Sequence, residues 1–86
     1  MQGMNKRSKQ AKVEQTIAPA VHQVWEDCDA RVSRSRQVKI HSIDLARQKA
    51  RCVVQTVPNT GRVTWIGLHR FRPTSTGYRY VRTDPV

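Results

Sequence analysis

The chain has 86 residues, in which 16 Lys and Arg stand against 6 Asp and Glu for a formal net charge of +10. That length admits one small domain with a marginal core, and the charge exceeds the magnitude of about 2 to 8 that suits a small soluble domain, so a polyanionic partner is expected. No apolar run approaches the ~20 residues of a membrane span, and the N-terminal basic residues lack the apolar region of a signal peptide, so the expected location is cytoplasmic.

Composition changes near Pro19. Residues 1–18 read as a basic arm carrying Lys6, Arg7, Lys9 and Lys12. A short helix is expected over residues 10–17, but its single i, i+4 apolar pair, Val13 with Ile17, is too little to hold it alone. Such an arm either follows a phosphate backbone or remains a flexible terminus. Residues 19–86 read as the folded domain.

After Pro19 the periodicity shifts toward two, the repeat of a strand with one buried face. A first strand is expected over residues 21–26, closed by Glu26, Asp27 and Asp29, with Trp25 in the core or at its edge. A Ser- and Arg-rich loop follows. The second strand, over residues 37–43, puts Val38 and Ile40 on one face and Lys39 and His41 on the other, with a bulge or bend at Ser42 and Ile43. A turn over residues 44–47 leads into the third strand, over 48–56, where Ala50, Cys52 and Val54 face inward and Lys49, Arg51 and Val53 outward.

Pro58, Asn59, Thr60 and Gly61 have the chemistry of a tight turn, since Pro fixes φ while Asn and Gly tolerate positive φ. The fourth strand, over residues 62–68, places Thr64, Ile66 and Leu68 on one face and Val63 and Trp65 on the other. One 3₁₀ turn before Pro73 then sets Phe71 in the core, and residues 78–81 form the last strand, with Tyr78 and Tyr80 sharing a face. Five short strands with a single helical turn before the fifth indicate an all-β fold, an SH3-like small barrel in preference to an OB-like one.

Lys39, Lys49, Arg51, Arg62, Arg70 and Arg72 are expected on exposed faces or rims, and Trp65 shares their sheet. Cations beside an aromatic ring suit phosphate contacts with a stacking base; equally, Trp65 fits as a cap over an open barrel end. Thr74, Ser75 and Thr76 beside Arg72 make either a small anion-binding turn or an ordinary polar loop. Catalytic, metal and cofactor residues are not expected. Asp27 and Asp29 project from one extended segment but lack further carboxylates, and ion pairs with Arg31, Arg34 or Arg36 fit them better. Cys28 and Cys52 with His22, His41 and His69 show neither CxxC nor HxxxH spacing, and the isolated glycines build no phosphate loop.

Two segments carry a resemblance. Thr60-Gly61-Arg62 through Arg70-Phe71-Arg72-Pro73-Thr74-Ser75-Thr76-Gly77-Tyr78, with Val24-Trp25-Glu26-Asp27-Cys28-Asp29 upstream, resembles small basic proteins of actinobacteria and their phages, over residues 21–81. The resemblance implies a compact β domain, a phage or actinobacterial source, hence the host cytoplasm for a phage protein, and no catalytic residues. From the net charge and the cations on the exposed faces, a non-enzymatic nucleic-acid-binding module is expected, DNA favoured over RNA and double-stranded DNA first. The competing expectation is an interaction protein whose basic face docks on an acidic host protein, and self-association through Val53, Val63 and Trp65 stays open.

Overall fold

The computed structural model of the chain describes residues 17–29 and 36–85. Lys6, Arg7, Lys9, Lys12, the short N-terminal helix expected there, Arg31 and Arg34 lie outside the described residues. Alternating apolar and polar side chains place one side of each strand against a common core, and the resulting elements are β1 (Gln23–Asp27), β2 (Gln37–Asp44), β3 (Lys49–Val54), β4 (Val63–Gly67), a 3₁₀ turn (Leu68–Arg70) and β5 (Tyr78–Thr83). They form one antiparallel sheet in the order β4-β3-β2-β1-β5. β4 and β5 are its edges and do not pair with each other, so hydrogen bonding leaves the sheet open.

The core collects Trp25 from β1, Val38 and Ile40 from β2, Ala50, Cys52 and Val54 from β3, Ile66 from β4, Phe71 after the 3₁₀ turn and Tyr78 from β5. Trp25 is its centre. Its ring meets Phe71 edge-on at 5.1 Å and Tyr80 at 5.7 Å, arrangements that the ring quadrupole favours. The indole Nε1–H donates to Gln23 Oε1 at 2.9 Å, and that buried amide also accepts from the Ala20 N–H and donates to the Ala18 carbonyl. Gln23 thereby fastens the incoming chain over Trp25 with its own polar atoms satisfied.

Several boundaries differ from the periodicity, β3 ending at Val54 and β4 narrowing to Val63–Gly67 among them, and three of the shifts have a visible cause. β1 begins at Gln23, two residues late, because His22 adopts φ 78° and redirects the chain; its N–H donates to Ile40 O and its carbonyl accepts from the Asp84 N–H, both at 2.9 Å. β5 runs two residues further than expected because Thr83 pairs with Gln23 across a register shift between Val24 and Trp25. β3 starts at Lys49, since Gln48 at φ 58° belongs to the hairpin turn. The bulge expected in β2 lies between Ile40 and Ser42 and returns Ile43 to the core side opposite Ala50.

Cys52 is fully buried, and burial pushes its thiol up to about 12 from 9.0. The unfolded chain gives up that proton near 9 while the folded chain holds it toward 12. The contribution is thus intact below pH 9 and is lost as pH rises through that window, at up to about 1.4 kcal/mol per pH unit. Urea titrations at pH 8.5 and 10.5 should show a fall in stability that Cys52→Ala reduces. An equal fall in the variant would assign it to other groups.

Candidate nucleic-acid interface

The face opposite the core is built chiefly from β3 and β4, whose register sets Arg51 opposite Trp65, Val53 opposite Val63 and Lys49 opposite Gly67. Directly opposed residues hold their Cβ atoms about 4.5–5.5 Å apart, so the Arg51 stem and the Trp65 ring are neighbours. Trp65 is 50% exposed and Val63 43%, whereas the other tryptophan, Trp25, is 1% exposed. The indole left on the surface is therefore the one that β4 turns away from the core. It lies on an edge strand of the sheet.

Ion pairing divides the described cations by location. At the β1–β5 end, Arg79 binds Glu26 at 2.6 Å, while Arg82 Nε and Lys39 Nζ reach opposite oxygens of Asp84 at 2.7 and 3.2 Å. Hydrogen bonds from Arg82 and then from Lys39 hold the Asp84 carboxyl below its ordinary range. Arg36 approaches Asp27 at 3.4 Å and donates to the Tyr78 hydroxyl at 2.7 Å, and Arg47 reaches Asp44 at 3.8 Å. Among the described residues, Lys49, Arg51, Arg62, Arg70 and Arg72 have no carboxylate within ion-pair distance. Lys49 and Arg51 belong to β3, Arg62 to the turn entering β4, and Arg70 and Arg72 to the segment that follows β4.

The seven described side chains expected at the site are therefore not one cluster. Lys49, Arg51 and Trp65 share the outer face of β3 and β4. Arg62 is exposed at the turn entering β4, where its carbonyl accepts from the Val54 N–H. Lys39 shares the outer face, but Asp84 offsets its charge. Arg70 folds over the Tyr78 ring at 5.4 Å and donates from Nε to the Thr76 carbonyl, and Arg72 is exposed in the same loop. These two cations flank the 3₁₀ end instead.

The acidic end of β1 is engaged in structure. Asp27 accepts from the Asp29 N–H and from Arg36, which ties the end of β1 to the start of β5 through Tyr78. Burial, the largest influence, raises the Tyr78 phenol above its ordinary value despite the nearby Arg36. Among the described residues, no three His, Cys, Asp or Glu side chains gather as a metal would require.

One contributor to the outer face is absent from the sequence reading. A Cβ at Gly67 would lie 2.7 Å from Cε1 and 2.9 Å from Nδ1 of His69, so the imidazole occupies the space where a side chain at 67 would stand. Position 67 alternates with 65, which places that space on the Trp65 side of the strand. A glycine closing an apolar strand signals such a close approach. Compared with known proteins, the chain matches no family model, no curated protein and no solved structure.

Proposed function

We propose that the protein is a non-enzymatic nucleic-acid-binding module that holds the phosphate backbone on the β3–β4 face. The observation that carries this reading is the partition of charge: carboxylates offset the cations of the β1–β5 end and leave Lys49, Arg51 and Arg62 without one around an exposed ring. A cation already paired gains little from a phosphate, whereas an unpaired one releases condensed counterions on contact. Within the same proposal, the sheet curls as an SH3-like small barrel, a reading supported by the strand order and by the 3₁₀ turn before β5. The likeness to small basic proteins of actinobacteria and their phages belongs to this proposal as its source, with the cytoplasm as its location.

Mobility-shift titrations of duplex DNA, RNA and single strands near physiological salt test the reading. Binding to at least one is expected below about 10 μM, because a module of this charge binds nucleic acid non-specifically. No binding to any of them would contradict it and favour docking on an acidic protein.

A further inference from the structure

The outer face offers more than charge. Along β4 two planar rings occupy consecutive outward positions: the half-exposed indole of Trp65 and, over Gly67, the imidazole of His69. On the neighbouring strand Arg51 stands opposite the first position and Lys49 opposite the second, so each ring has a cation beside it; neither cation has a described carboxylate within ion-pair distance, and Asp44, which faces Lys49 from β2, is held by Arg47 at 3.8 Å. Consecutive outward positions on a strand are roughly 6.6 Å apart, and the absence of a side chain at Gly67 is what lets the second ring lie on the sheet.

We propose that this strip receives unstacked bases of a single-stranded nucleic acid, one on Trp65 and one on His69, while Arg51 and Lys49 meet the adjoining phosphates. The inference rests on the nucleic-acid reading and gives its ligand class. A duplex keeps its base faces stacked inside and shows a protein only edges and phosphates. A ring lying on a sheet surface reaches a base face only where the base is already unpaired, and base–aromatic stacking tolerates any sequence. Val53 and Val63 continue the apolar part of the strip beyond Trp65, away from Gly67. Duplex DNA, the first expectation from charge alone, would use the cations and leave both rings idle.

The two tryptophans make the test direct, because Trp25 is buried and Trp65 is the one that a soluble quencher reaches. The full chain is titrated at constant salt with an oligothymidylate, an oligouridylate and a blunt DNA duplex, following tryptophan emission and its quenching by acrylamide. Both single strands should quench emission and shield Trp65 from acrylamide, with DNA against RNA decided by which strand binds more tightly; the duplex should do neither. Trp65→Leu should weaken single-strand binding by roughly 5- to 150-fold and leave duplex binding unchanged, while Trp65→Phe retains part of the affinity. Circular dichroism should show each variant folded. Single strands and duplex bound equally with unchanged emission, or Trp65→Leu weakening both alike, would overturn the inference while leaving phosphate binding intact. Failure of all three nucleic acids to bind would overturn the nucleic-acid reading and this inference together.

Discussion

Trp25→Ala will leave the chain largely unfolded at ordinary temperature. The indole is 1% exposed and holds Phe71 and Tyr80 edge-on, so truncation removes most of a buried aromatic and opens a cavity in a core with few other large side chains. Such substitutions cost about 3–5 kcal/mol, which is comparable with the whole stability of a domain of this size at about 0.05–0.15 kcal/mol per residue. The loss also frees Gln23 from one of its bonds and loosens residues 18–20, which that amide fastens. Trp65→Ala is the control, since the same chemical change on a half-exposed ring should cost less than about 1 kcal/mol. Urea unfolding followed by circular dichroism separates the two, and similar midpoints would mean that Trp25 is not the centre of the core.

Gly77→Ala has the second largest expected effect. A Cβ there would fall on the carbonyl oxygen of Arg72 and come within 2.8 Å of the carbonyl of Arg70 and of Thr74 Oγ1. Two of those three obstacles are backbone, held by the Arg72 N–H donating to Arg70 O and the Thr74 N–H donating to Arg72 O. Making room means opening the turn that delivers Tyr78 to the core. The Gly77 carbonyl also accepts from the Cys28 N–H at 3.0 Å, so displacement reaches the end of β1. Overpacking of this kind costs about 1–3 kcal/mol, read as a lower urea midpoint. Gly61→Ala is the comparison: nothing stands within 4 Å of its added Cβ, and its cost of about 1–2 kcal/mol comes from φ +90° alone. A Gly77→Ala protein as stable as the parent would show that the 72–77 turn is free to shift.

Local patterns made much of this fold legible. In β2 and β3 a residue's neighbours two positions away decide its face, so Val38, Ile40, Ala50, Cys52 and Val54 read as core from alternation alone. The outward Trp65 follows from the same alternation, and the buried Phe71 from a segment before Pro73 long enough for only one 3₁₀ turn. What local pattern does not encode is pairing between distant segments. Thr83 belongs to β5 because it meets Gln23, and Val21 falls outside β1 because His22 turns the chain there.

Expected closure of the sheet depends on whether β4 and β5 meet, and 3.3 Å per residue of strand says nothing about how far a sheet curls. The candidate site shows the same division. Basic residues are visible one by one, but their neutralisation joins Lys39 to Asp84 and Glu26 to Arg79, across 45 and 53 positions of sequence. Alternation therefore grouped Lys39 with Lys49 and Arg51 as equals, although of the three only Lys39 is in an ion pair among the described residues. The place of His69 depends on a glycine two residues before it, a small signal that acquires meaning only once β4 is known to end there.

On the proposed reading, binding resides in Lys49 and Arg51 of β3 and Arg62 of the following turn, which lie outside ion-pair distance of the described carboxylates, and not in net charge as such. Affinity for a fixed oligonucleotide, measured against salt concentration, tests it most directly when charge is removed from one location or the other. Lys49→Ala with Arg51→Ala should reduce the slope of log K against log salt by about 0.7 to 0.9 per lost phosphate contact, the lower figure for single strands. Arg79→Ala with Arg82→Ala removes the same formal charge from cations already paired with Glu26 and Asp84, and should leave the slope nearly as it was. Equal reductions from both double variants would contradict the claim, and would mean that the oligonucleotide responds to overall charge without a defined face.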